Sequence, residues 1–121
     1  MNTSYRESEA WKLSRNLNKE IHQILQHPGL SQQFRLKEQI RSSAGSIMDN
    51  IAEGFERDGR AELIQFLSIA KGSAGELGSQ ITRLFDMQTI SNEQYQKSFL
   101  DGRLNFTPIG GIYEISQTKR V

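Results

Sequence analysis

Gln39–Leu77, QIRSSAGSIMDNIAEGFERDGRAELIQFLSIAKGSAGEL, reads as two long helices joined by a tight polar turn at Glu56-Arg57-Asp58-Gly59. In the first half Ile40, Ala44, Ile47, Ile51 and Phe55 recur at steps of three and four. In the second half Leu63, Phe66, Leu67, Ala70, Ala74 and Leu77 do the same. Such spacing lines one face of a helix with apolar side chains. A short connection makes the two helices antiparallel neighbours with a shared core.

Outward from this hairpin, the pattern continues in both directions. Upstream, Ala10, Leu13, Leu17, Ile21 and Ile24 form the buried stripe of a helix over about 7–26, after an extended arm at 1–6. Ser8 is placed to cap it, and Glu7 and Glu9 suit the positive end of its dipole. His27-Pro28-Gly29 ends it, because proline cannot continue a helix. A connection with a short turn after Ser31 leads to the second helix, about 34–55, and the third spans about 60–87. Ser91-Asn92-Glu93-Gln94 fits a capping box, so a fourth helix is expected over 92–104. Pro108 predicts a break near 105–108, with a further helical turn over 109–116 and a frayed basic tail from Gln117. The expected fold is all-α: an up-down-up-down four-helix bundle whose last helix is broken or shortened.

The helix-two and helix-three centres are unusually small: Ser42-Ser43-Ala44-Gly45-Ser46 and Gly72-Ser73-Ala74-Gly75. Each interior glycine costs about 0.5–1 kcal/mol relative to alanine, so close backbone approach is the expected gain. Folding about Asp58 sets residue 44 opposite residue 72. Gly45 and Gly72 are therefore expected to meet within the hairpin, with a second subunit as the alternative, while Gly75 and Gly78 face either the hairpin or another subunit. The same register brings Arg41 beside Glu76, as an ion pair in the chain or at a subunit interface. Asn50 and Glu53, one turn apart, are read as fixing the turn and the start of helix three, with a shared polar site as the alternative.

The chain has 121 residues, enough for one domain with a core of its own. Fifteen basic and fourteen acidic side chains leave a net charge of +1, which neither demands a polyanionic partner nor excludes a local basic face. With no cysteine, disulfides and thiolate metal sites are ruled out. No apolar run reaches the ~18 residues of a membrane helix, and no apolar signal region opens the sequence, so the expected compartment is the cytoplasm. Lys12, Arg15, Lys19 and His22 form a basic stripe down helix one, the best candidate for phosphate contacts. Its plainer reading is a solvated face partnered by Glu9 and Glu20. Arg57, Arg60, Lys119 and Arg120 are secondary candidates. No aromatic residue is interleaved in the stripe, which argues against base stacking there. His22 and His27 are five residues apart, not the spacing of a helical metal pair, so no metal or other cofactor is expected. Arg15 to His22 loosely matches the Arg-x(4–6)-His spacing of helical RNase toxins, a minor alternative without a positioned base. No nucleophile–base pair is found, and the expectation is a protein that is not an enzyme.

Several of these segments resemble the 23S ribosomal RNA intervening-sequence protein family. They are Gln39-Ile40-Arg41, Ser46-Ile47 and Asn50-Ile51-Ala52-Glu53-Gly54-Phe55, then Phe66–Ser73 and Glu76-Leu77, with Tyr5-Arg6 and Trp11 upstream. The resemblance covers roughly residues 5–100. It implies a bundle that assembles into a homopentameric ring. A related branch, the accessory proteins of diversity-generating retroelements, implies contact with RNA or DNA and with a protein partner. Five modest basic stripes held together would bind by avidity. The resulting expectation is a non-enzymatic oligomeric adaptor that makes phosphate contacts through the basic stripe, or, as the runner-up, a protein-binding scaffold with no nucleic-acid affinity.

Overall fold

The computed structural model describes residues 4–87, 91–95, 104–109 and 112–117. Three long helices dominate: α1 (Glu9–Ile24), α2 (Phe34–Glu56) and α3 (Arg60–Asp86). Ser8 caps α1 by accepting from the Trp11 amide at 3.3 Å. Ahead of it, Tyr5–Glu7 forms a 3-10 turn capped by Ser4, where an extended arm was expected. Between α1 and α2 a second 3-10 turn, Pro28–Leu30, precedes Ser31 rather than following it, and the Leu30 side chain is fully buried.

Helix α2 is the central element, packed against both α1 and α3. Its apolar stripe supplies Ile40, Ala44, Ile47 and Ile51, all without exposed surface. Leu17, Ile21 and Leu25 meet it from the α1 side, and Leu67, Ala70, Leu77, Ile81 and Leu84 from α3. Asn18 ties α1 to α2 by donating to the backbone carbonyl of Ala44 at 2.8 Å and to that of Ser14 at 2.9 Å.

The C-terminal segment departs from the helical expectation. A fourth helix, α4, starts at Asn92, and its described part is Asn92–Tyr95. Residues 96–103 and 118–121, which include most of the expected fourth helix and of the basic tail, lie outside the described residues. Beyond them the chain is not helical. Leu104–Ile109 and Ile112–Gln117 are strands β1 and β2 of an antiparallel hairpin. The expected helical turn over 109–116 is therefore replaced by β structure. Two residues, Gly110 and Gly111, separate the paired Ile109 and Ile112. A glycine pair between two alternating runs is a hairpin signal, and it outweighs the helical spacing of Ile109, Ile112 and Tyr113. A two-residue loop is flanked by a hydrogen-bonded pair, so Pro108, one step further at Tyr113, sits where its missing N–H faces away from β2.

The hairpin is amphipathic. Leu104 and Ile115 are buried, and Phe106 meets Tyr113 edge-on with centroids 6.2 Å apart, whereas Thr107, Glu114 and Ser116 are exposed. Strand β2 lies against both α1 and α3, and the Lys71 ammonium sits 5.1 Å from the centre of the Tyr113 ring. The hairpin thus covers the seam between α1 and α3. The architecture is mostly helical, with a small two-stranded sheet closing one side.

The glycines separate into two classes. Gly54 is buried on α2, and a Cβ there would lie 3.1 Å from the Phe66 Cβ and 3.2 Å from a Leu63 methyl. Gly54, not Gly45 or Gly72, is where the two helices of the hairpin need a missing side chain. Among the described residues, a Cβ at Gly45, Gly72 or Gly75 would meet nothing within 4 Å. The expected intramolecular approach at Gly45 and Gly72 is absent. Gly72→Ala and Gly75→Ala are accordingly expected to raise stability by about 0.5–1 kcal/mol each, through helix propensity alone. Urea unfolding at a fixed protein concentration measures this, and a loss of stability in either variant would show that the open face is filled in solution.

Candidate nucleic-acid interface

The buried stripe of α1 leaves its opposite side to solvent, and there Lys12, Arg15, Lys19 and His22 are all exposed. Lys12 has Glu9 as an ion-pair partner at 3.7 Å, with both side chains more than half exposed, so the pair holds it weakly. The Arg15 guanidinium lies over the Trp11 ring, 5.8 Å from its centre. Trp11 in turn meets Tyr5 edge-on at 5.2 Å, and the Arg6 guanidinium lies 5.3 Å over the Tyr5 ring. The stripe therefore does carry aromatic rings at its N-terminal end, contrary to the reading from sequence. Trp11 and Arg15 are one helical turn apart, which makes them neighbours on the helix surface. Tyr5 joins them only because the 3-10 turn folds the chain back over the start of α1.

The secondary basic candidates belong to the turn. Arg57 bonds Glu53 at 3.0 Å and lies 3.6 Å from Glu62, while its guanidinium covers the Phe66 ring at 5.2 Å. It joins the end of α2 to the start of α3. Arg60 also has interactions of its own. Lys119 and Arg120 lie outside the described residues.

The polar residues expected at the hairpin take different partners from those foreseen. Arg41 pairs with Glu38 on its own helix at 2.7 Å. Glu76 instead accepts from the Ser43 hydroxyl at 2.9 Å, and Ser46 and Ser73 share a hydrogen bond at 2.8 Å. Asn50 donates to the Ser46 carbonyl and hydroxyl at 2.8 and 3.0 Å rather than to the start of α3. Glu53 does bind the turn, through Arg57.

These contacts set residue 43 against 76 and 46 against 73, so residue 44 is level with 75 rather than 72. The shift has a geometric cause. Side chains lean toward the N-terminus of their helix, by about one residue. On α2 that is away from the turn, and on α3 it is toward the turn. Contacting pairs are therefore displaced along α3 by about two residues from a count made on the backbone alone.

Between α2 and α3 a polar groove of about 670 Å³ is lined by Glu38, Ser42, Glu76, Ser79 and Arg83 among others, and Gln80, also on its lining, has a buried Oε1 with no partner among the described residues. Among the described residues no group of three or more His, Asp or Glu is placed to hold a metal ion, and no helix is long and apolar enough to cross a membrane.

No curated protein and no solved structure matches the sequence. The profile of the 23S rRNA-intervening sequence protein family matches residues 6–101, a span that holds all three long helices and ends before the β-hairpin. The chain belongs to the 23S rRNA-intervening sequence protein family.

Proposed function

We propose that this protein is a non-enzymatic adaptor that assembles with copies of itself, as a homopentameric helical bundle, and binds the phosphates of RNA or DNA through its α1 faces. The observation that carries the reading is the exposed face of Lys12, Arg15 and Lys19, turned away from the core along one side of α1. Arg57 and Arg60 contribute less, since Arg57 is held by two carboxylates. Assembly is supported by the exposed apolar ring of Phe34 at the start of α2, which is 68% exposed. Light scattering at two protein concentrations tests it, and a monomer at both would remove the avidity on which tight binding depends.

Binding itself is tested by measuring affinity for a short RNA or DNA across a series of salt concentrations. Affinity should fall steeply with salt, and Lys12→Ala with Lys19→Ala should lower the slope by about 1 for each contact removed, with a similar loss for every sequence tried. A protein-only scaffold predicts no binding even at low salt, and that result would overturn the proposal. RNA should remain uncut throughout; cleavage abolished by His22→Ala would instead establish a nuclease.

A further inference from the structure

The cluster at the N-terminal end of α1 goes further than charge. Two guanidinium planes rest on two aromatic rings: Arg6 on Tyr5 at 5.3 Å and Arg15 on Trp11 at 5.8 Å, with the rings themselves in edge contact at 5.2 Å and an interplanar angle of 69°. Both arginines are exposed and both rings are half-buried. The segment is held in place, since the Ser4 hydroxyl accepts from the Arg6 amide and the turn packs on α1 and α2. Lys12 and Lys19 continue the positive charge on the same helix.

We infer that this cluster selects single-stranded nucleic acid, by stacking unpaired bases on the Arg6–Tyr5 and Arg15–Trp11 planes while Lys12 and Lys19 hold the phosphates. The inference rests on the α1 phosphate reading above. A duplex keeps its bases stacked on one another and offers the helix only its backbone. A single strand offers the same phosphates plus base faces, and these stack on aromatic rings or on guanidinium planes regardless of sequence. The arrangement therefore predicts a preference for unpaired strands with little choice among them.

Trp11 is the only tryptophan in the chain, so its fluorescence reports on the cluster directly. The full-length protein would be titrated with a mixed-sequence 12-nucleotide RNA and with the same strand annealed to its complement, at equal salt. Expected is quenching of Trp11 by the single strand and an affinity about tenfold higher than for the duplex. Arg15→Lys keeps the charge but removes the plane, and Tyr5→Leu keeps bulk but removes the ring. Each should bring the ratio of single-strand to duplex affinity toward one, with the helical circular dichroism of the parent retained. Equal affinity for both probes, unaltered fluorescence and indifference to either substitution would overturn the stacking inference while leaving phosphate binding intact. Failure to bind either probe at low salt would overturn both readings.

Discussion

Ile51→Ala should destabilise the protein by about 3–4 kcal/mol. Ile51 has no exposed surface and belongs to the buried stripe of α2, the helix that touches both of the other long ones. Truncating a buried isoleucine removes its transfer free energy and leaves a cavity, and the sum lies in the range of about 2–5 kcal/mol. A site between packed helices collapses poorly, because its walls are held by contacts elsewhere along each helix. Urea unfolding of the variant and the parent gives the difference. The control is Ile69→Ala, at a side chain 45% exposed on α3, where a change within about 1 kcal/mol is expected. A similar small cost at Ile51 would mean that α2 does not hold the centre of the core.

Gly54→Val is expected to cost about 3 kcal/mol. The new Cβ would stand 3.1 Å from the Phe66 Cβ and 3.2 Å from a Leu63 methyl, and two γ-carbons would need room as well. Overpacking a buried site forces side chains off their rotamers or pushes the backbones apart, at about 1–3 kcal/mol and at times more. Two effects oppose each other in Gly54→Ala: a gain of about 1 kcal/mol in helix propensity and the strain of a Cβ a few tenths of an ångström too close. That variant should fall near the parent, while Gly72→Ala should exceed it. The order Gly72→Ala above Gly54→Ala above Gly54→Val in thermal midpoint is the result that distinguishes close packing from propensity. If Gly54→Val melts with the parent, the α2–α3 contact near the turn is looser than the structure has it.

The three long helices were legible because their apolar residues keep a helical period over many turns, and period is a property of sequence alone. The partners of the polar residues were not. Whether Glu76 meets Arg41 or Ser43 depends on a displacement of two or three residues between neighbouring helices, which side-chain tilt decides and no count along the backbone reveals. The glycines mislead for a related reason. Gly54 follows Ile51 by three positions on the buried stripe, and that placement was the signal of close approach; runs of small residues drew attention to Gly45 and Gly72 instead. The C-terminal hairpin is hidden by the helical spacing of Ile109, Ile112 and Tyr113, although Gly110-Gly111 between two alternating runs carries the turn signal. At the candidate interface the charges were legible as a stripe on α1. The ring cluster was partly so, through the one-turn spacing of Trp11 and Arg15, but Tyr5 arrives by a fold of the chain that nothing in the spacing announces.

The hairpin over the α1–α3 seam also has a consequence for how the protein is made. Its strands follow the helices in the chain, so the helices leave the ribosome first. At about 5–20 residues per second, synthesis from Asp86 to Gln117 takes roughly 1.5–6 s. Helix formation takes about a microsecond and collapse of a chain this size no more than about a hundred, so the helices can pair long before their cover arrives. During that interval the sides of α1 and α3 that β2 will occupy are wet and apolar, and open to capture by chaperones or by another nascent chain.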